Sequence, residues 1–331
     1  MLKDKKIAII GSGSWATAIA KIVMHNTDEI YWFMRQQEKI DEFIRLGTNP
    51  GYLSAAKFDT SRIHFSNDIN KVADAADVLI VAIPSPYLKS SLGKLRKSIR
   101  RKVVISAVKG MVPEENMIIT DYIRLRYKVP QDQLGIIAGP CHAEEVALER
   151  KSYLTIGCSD RSLAKEMAAL FVTPFVQTTT SEDVWGLEYS SVMKNIYAIA
   201  AGVCHGLKYG DNFQAVLVSN AIQEIQRFAT AMNPIYRNVI ESGYLGDLLV
   251  TCYSQFSRNR QFGNMIGMGY SVRSAQLEME MVAEGYYGTK CIHELNQRYH
   301  VNLPIMEAVY DILYNAKPPR LVIQALSEKL G

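Results

Sequence analysis

The tightest constraint on this chain lies in residues 7–16. A short apolar run, Ile7-Ala8-Ile9-Ile10, leads straight into Gly11-Ser12-Gly13-Ser14-Trp15-Ala16, and residues of helical period follow at once. The chain must turn sharply there from strand into helix. Gly11 permits the tight turn, Gly13 removes bulk where backbone amides approach a ligand, and Ala16 lets the helix sit close to the strand. Amides in the first helical turn lack partners within the helix, so together with the helix dipole they suit an anion such as a pyrophosphate. G-x-G-x-x-G/A between a strand and a helix is the dinucleotide fingerprint in its required context. The same glycines break the apolar stretch after four residues, which argues against reading the charged start and Ile7–Ala20 as a secretory leader.

Downstream, short β-rich runs alternate with segments of helical period, the pattern of parallel strands joined by crossover helices. Strands are expected at Lys6–Ile10, Ile30–Met34, Ile63–Ser66, Val78–Ile83, Val103–Ala107, Leu134–Ala138, Tyr153–Gly157 and Phe175–Thr178. Helices are expected between them at Ser14–His25, Gln36–Leu46, Pro86–Lys97, Glu114–Arg126, Ala143–Glu149 and Ser162–Phe171. Beyond about residue 181 the alternation stops and long helical stretches follow, at Trp185–Leu207, Phe213–Ala231, Ser274–Glu284, Thr289–Tyr299 and Ile305–Asn315. The expected fold class is therefore α/β, with a parallel sheet joined by crossover helices in residues 1–180 and a helical domain in 181–331.

Composition narrows the function. With 37 basic against 33 acidic residues the net charge is +4, too small a bias for a nucleic-acid binder whose affinity rests on neutralising phosphates. The 5 cysteines (Cys141, Cys158, Cys204, Cys252, Cys291) are widely spaced and never form C-x-x-C, which argues against a zinc site or a disulfide framework and suits a reducing cytoplasm. The longest uncharged stretch, Met167–Ser181, contains Pro174 and falls short of the ~18 apolar residues of a membrane span.

Several residues carry candidate chemistry. The end of the second strand selects the dinucleotide. Arg35 stands there, while Asp28 and Glu29 lie at the wrong end, so NADPH is expected to be accepted, the alternative being an arginine that is simply solvated. Within Trp185–Ala201 apolar residues surround the helical wheel, and Lys194 interrupts them. Its neighbours three and four residues away are Ser190, Ser191, Tyr197 and Ala198, none acidic. Either this lysine snorkels from the helix edge, or it is enclosed with a lowered pKa and can exchange a proton near neutral pH. Asp247, before the apolar run Leu248–Cys252, could cap a helix. Ser257-Arg258-Asn259 reads as a solvated turn or as a phosphate clamp. Lys109-Gly110 follows a strand at its carboxyl end, where ligands bind in open parallel sheets.

These segments occur in an order that resembles the bacterial-type NAD(P)-dependent glycerol-3-phosphate dehydrogenases along nearly the whole chain. They are Gly11–Ala18, Lys109-Gly110, Gly139-Pro140, Val192-Met193-Lys194-Asn195, Leu245–Cys252, Ser257–Arg260 and Val282-Ala283-Glu284-Gly285. The resemblance implies a Rossmann-like, doubly wound dinucleotide-binding domain in residues 1–180, an all-helical substrate domain in 181–331, and a usually dimeric enzyme that supplies glycerol 3-phosphate for phospholipid synthesis from dihydroxyacetone phosphate and NAD(P)H. It implies Lys194 as proton donor and acceptor, with Lys109 and Asp247 completing the catalytic group. Substrate contacts are implied for Gly139, Cys141, Ser257, Arg258 and Asn259 besides those three. Cofactor contacts are implied for Gly11, Gly13, Ser14, Trp15, Arg35, Lys109, Ala143, Arg258, Val282 and Glu284, and no metal is expected. The family usually has Ser or Thr and then Phe where this chain has Cys141-His142, and a thiol is the weaker donor. Neighbours at a helix start do not face each other, so a Cys-His nucleophilic pair is not expected. A relative acting on a 3-hydroxy acid or a ketopantoate-like substrate would need no phosphate clamp, and a non-catalytic dinucleotide sensor would need no Lys194.

Overall fold

The computed structural model describes residues 1–279 and 282–330. The chain divides into two compact units, one built from Met1–Val108 and Ile119–Val184, the other from Lys109–Ile118 and Trp185–Gly331. The division is thus not one cut near residue 180, because Lys109–Ile118 belongs with the second unit.

Among the described residues ten strands occur in chain order: β1 (Ile7–Ile10), β2 (Ile30–Phe33), β3 (Ile63–Ser66), β4 (Val78–Val81), β5 (Val103–Ser106), β6 (Met111–Val112), β7 (Met117–Ile118), β8 (Leu134–Ala138), β9 (Ser152–Cys158) and β10 (Val176–Ser181). Eight of them form the sheet of the first unit in the order β10-β9-β8-β5-β4-β1-β2-β3. The central strands are runs of Val, Ile and Ala buried on both faces, as a sheet covered by helices on two sides requires. Every pairing is parallel except β8 with β9, where Ile137 opposes Ile156, so the expected parallel sheet carries one antiparallel junction. The chain leaves β1 toward β2 on one side and returns to β4 on the other. That reversal of strand order opens a crevice at the carboxyl end of β1.

The helices of this unit are α1 (Ser14–Val23), α2 (Gln37–Leu46), α3 (Ile69–Ala75), α4 (Ser85–Leu92), α5 (Ile119–Tyr127), α6 (Ala143–Ala147) and α7 (Arg161–Ala169). The helix expected over Glu114–Arg126 starts only at Ile119. Glu114 and Asn116 hold positive φ of 69° and 51°, a turn that joins β6 to β7 as a small antiparallel hairpin of the second unit. That unit is therefore helical apart from one hairpin.

Its helices are α8 (Val184–Gly206), α9 (Gly210–Met232), α10 (Asp247–Tyr253), α11 (Arg258–Gly267), α12 (Val272–Glu278), α13 (Glu284–Tyr299), α14 (Pro304–Leu313) and α15 (Pro319–Ser327). The helix expected at Ser274–Glu284 runs over residues 280 and 281, which lie outside the described residues; α12 ends before them and α13 begins after them. Helix α11 was not anticipated, and α13 starts before the expected Thr289. Both contain glycines that weaken a helix in isolation. Here those glycines bring backbones together. A Cβ at Gly202 or Gly206 of α8 would overlap carbonyl oxygens of α11, and one at Gly263 or Gly267 of α11 would overlap the carbonyl oxygens of Ile199 and Val203. Gly285 of α13 sits in the same way against the Asn195 carbonyl oxygen, 2.5 Å from where its Cβ would be. Close packing overrides intrinsic propensity at these positions.

Candidate functional site

In the first unit the glycine turn emerges at the carboxyl end of β1. Gly11 has φ 134°, and a Cβ there would overlap the Ala82 carbonyl, so no other residue fits without moving β1 from β4. Gly13 is the N-cap of α1. A Cβ on it would meet nothing within 4 Å, and no side chain caps the helix or places a carboxylate in its first turn. Ser14 and Trp15 form that first turn. The loop is held from below: the Trp32 indole donates to the Gly11 carbonyl at 2.6 Å, and the Asn49 amide donates to the Ser12 carbonyl at 3.1 Å and to the Thr17 hydroxyl at 2.7 Å. An open, rigid cradle at a helix N-terminus, without a competing acid, fits a dinucleotide pyrophosphate. Arg35 lies exposed on the bend after β2, on the same edge of the sheet. Gly139 (φ 101°), Cys141 and Ala143 follow β8. A Cβ at Gly139 would come within 2.7 Å of the Tyr153 carbonyl oxygen, and Cys141 is buried in the apolar core. Helix α6, which Ala143 starts, is tied to α1 by Lys21, which donates to the Ala147 carbonyl at 2.9 Å and pairs with Glu149 at 3.0 Å.

The second unit holds a group of charges in its interior. Lys194 on α8 is 3% exposed and Asp247, the first residue of α10, is 1% exposed. The Lys194 ammonium donates a short hydrogen bond to Asp247 Oδ1, and the Lys109 ammonium stands 3.6 Å from Oδ2 of the same carboxylate. Asp247 therefore does not cap its helix with its side chain. It stands between two amines, presented by a π-helical turn at Ser242–Gly246 that runs directly into α10. Burial pushes the Lys194 pKa well below the usual lysine range, and Lys109 lowers it further by like-charge repulsion; the attraction of Asp247 opposes both. The result is a buried amine whose proton is exchangeable near neutrality.

Two neighbouring elements complete the arrangement. Ser257 is the N-cap of α11, its hydroxyl accepting from the Arg260 amide at 3.3 Å, so the solvated-turn reading is replaced by an ordered helix start with Arg258 as first residue. The Asn259 side-chain oxygen accepts from the Gly285 amide at 2.8 Å, tying the start of α11 to that of α13, where Glu284 is the first residue and Val282 lies just before. Contacts of Gly202 with Arg260 and of Gly285 with Asn195 set both helix starts beside α8, that of α13 at the level of Lys194. The structure thus gathers Lys109, Lys194 and Asp247, and joins Ser257, Arg258, Asn259, Val282 and Glu284 around two helix N-termini. Gly11, Gly13, Ser14, Trp15, Arg35, Gly139, Cys141 and Ala143 belong to the other unit.

Some functional residues escaped the sequence reading. The Asn195 amide donates to the Lys109 carbonyl at 2.8 Å, fixing the segment that delivers Lys109; its place beside Lys194 was the only hint. Asn49 braces the glycine turn from a loop with no motif. Among the described residues no three His, Cys, Asp or Glu side chains gather as a metal site, and no helix is long and apolar enough to cross a membrane.

Residues 6–164 match the description "NAD-dependent glycerol-3-phosphate dehydrogenase N-terminus" and residues 183–324 its C-terminal counterpart. The glycerol-3-phosphate dehydrogenase [NAD(P)+] of Lysinibacillus sphaericus is 33% identical over 98% of this chain and 97% of its own. That of Bacillus subtilis is 34% identical over 97% and 94%. The chain belongs to the NAD-dependent glycerol-3-phosphate dehydrogenase family. A crystal structure of glycerol-3-phosphate dehydrogenase from Coxiella burnetii superposes with a TM-score of 0.90 at 25% identity, covering 98% of this chain and 99% of that one. As a glycerol-3-phosphate dehydrogenase family member, the chain keeps a sheet-based N-terminal unit and a helical C-terminal one.

Proposed function

We propose that the chain catalyses reversible hydride transfer between NAD(P)H and dihydroxyacetone phosphate, giving sn-glycerol 3-phosphate for phospholipid synthesis, as a cytoplasmic homodimer. The sheet unit serves chiefly the dinucleotide, and the helical unit with Lys109–Ile118 chiefly the substrate. One observation carries the reading: a lysine 3% exposed, with a lowered pKa, facing a buried aspartate and a second lysine.

A bound dihydronicotinamide supplies the hydride. Gly11, Gly13, Ser14 and Trp15 hold the pyrophosphate, and Arg35 meets a 2′-phosphate when NADPH is the donor. Ala143, Val282 and Glu284 are further cofactor contacts in this reading. As the carbonyl carbon is reduced, negative charge grows on oxygen. The Lys194 ammonium stabilises that charge and delivers the proton, joining electrostatic and general-acid roles. Asp247 keeps the amine in place and partly restores the proton affinity that burial removes, while Lys109 adds positive charge beside the oxygen. Arg258 and Asn259 take the phosphate at the start of α11, where backbone amides also favour an anion. Gly139, Cys141 and Ser257 complete the substrate contacts.

The test is the fall in NADPH absorbance on adding dihydroxyacetone phosphate or unphosphorylated dihydroxyacetone. The expected preference for the phosphorylated ketone is ~10³-fold or more in kcat/KM. Equal rates on both would remove the phosphate clamp, and no oxidation with either would remove the enzyme.

A further inference from the structure

Two serines beside the catalytic amine hold hydroxyls for which the reaction described so far has no use. Ser190 and Ser191 on α8 are 0% and 4% exposed, and neither side-chain oxygen has a hydrogen-bond partner among the described residues. Buried hydroxyls rarely stay that way, because the lost hydration is not replaced. A helical hydroxyl has an easy remedy in the carbonyl four residues earlier. Thr251 takes it on Asp247 at 2.5 Å and Thr289 on Gly285 at 2.6 Å, both in this same unit. Ser190 and Ser191 do not.

Their position gives the reason. They precede Lys194 by four and three residues, so they flank it on one helix face. Helical side chains lean toward the N-terminus, which lays the Lys194 stem over the turn that carries both serines. Amine and hydroxyls are all buried along the same turn of one helix.

We propose that Ser190 and Ser191 form a hydroxyl-binding subsite that receives the free hydroxymethyl group of the ketone. This rests on the reading of Lys194 and Arg258 given above. With the carbonyl oxygen at Lys194 and the phosphate at Arg258, the hydroxymethyl is the one polar group of a three-carbon substrate left to place. It sits one bond from the reacting carbon, within the turn beneath the amine. Two neutral hydroxyls, each able to donate and accept, match a neutral hydroxyl and give no counter-charge to a carboxylate. They would select against a keto acid at that position.

The experiment compares kcat/KM for dihydroxyacetone phosphate and for hydroxyacetone phosphate, in which methyl replaces hydroxymethyl. It uses the parent and a Ser190→Ala, Ser191→Ala double variant. The parent is expected to favour the hydroxylated ketone by ~10²-fold or more. The double variant is expected to lose ~10-fold or more on that ketone and less than ~3-fold on its methyl analogue. Its melting temperature should hold or rise, because alanine is the better helix former and removes an unsatisfied oxygen. If the double variant does not fold, at least one single variant must show the same selective loss. Equal losses on the two ketones, or no loss on either, overturn the subsite. A parent that reduces neither ketone overturns the underlying reading instead.

Discussion

The two units bury different kinds of polar group. In the first, the buried polar side chains among the described residues are hydroxyls and one amide, such as Ser14, Thr17, Asn49 and Ser106. The buried ionisable side chains Glu188, Lys194, Glu224, Arg237 and Asp247 all lie in the second. The first unit presents its ligand site with backbone and needs only small neutral groups to brace a glycine turn. The second encloses charges at a desolvation cost that their partners must offset, and one pair of them, Lys194 with Asp247, is the pair the proposed reaction uses to handle a proton out of water. On the proposed function one unit holds and the other reacts, so substitutions in each should fail in different ways.

The sharpest test of that division is Lys194→Ala. Turnover should fall ~10³-fold or more, with the NADPH dissociation constant, read by fluorescence titration, changing less than ~3-fold. A loss of cofactor binding with turnover intact would break the comparison. The converse is Gly11→Ala. Its Cβ would overlap the Ala82 carbonyl at φ 134°, so the turn must shift. NADPH affinity should fall ~10-fold or more, with a melting temperature lower by several degrees, about 1–3 kcal/mol of strain.

Proton handling gives a smaller, signed effect. Lys194 is a depressed lysine, its pKa lowered to about 7. Ketone reduction needs its ammonium form, so kcat for reduction should decline as pH rises through about 7. Oxidation of glycerol 3-phosphate needs the neutral amine and should rise over the same range. Parallel profiles in both directions would exclude Lys194 as the group exchanging the proton.

The smallest effect concerns a buried carboxylate outside the reaction. Glu224 of α9 accepts from the Ile305 amide at 2.7 Å, the Met306 amide at 3.3 Å and the Tyr197 hydroxyl at 3.0 Å, capping α14 from another helix. Burial raises its pKa from 4.5 to about 7. A folded state that binds the proton more tightly than the unfolded one loses stability as pH climbs from about 4.5 through about 7. In Glu224→Gln the melting temperature should depend less on pH over that window. An unchanged slope would show that the burial of Glu224 is not felt as a titration.

Much of the first unit was legible because its rules are local. Alternating apolar runs marked the strands of the sheet, and glycines at fixed offsets marked the turn, since one period or one backbone angle defines each. The helical unit was less legible for a reason its glycines make plain. Gly263, Gly267 and Gly285 look like helix breakers in sequence, yet they lie within α11 and α13, where backbone contact with α8 compensates for weak propensity. The junction of β8 with β9, and the hairpin inserted at residues 109–118, likewise had no local signature.

The sequence by itself determined that a strand turns through glycines into a helix, that a lysine interrupts a long apolar helix, and that the lysine has no acidic neighbour within one turn. Those facts follow from periodicity, which records which face of an element is buried. Only the tertiary structure decided what that face meets. It brought Asp247 to Lys194 across 53 positions, added Lys109 from a segment that precedes both, and left two serine hydroxyls on the same helix without partners among the described residues. Contacts between distant segments depend on how elements pack, and no local period encodes that.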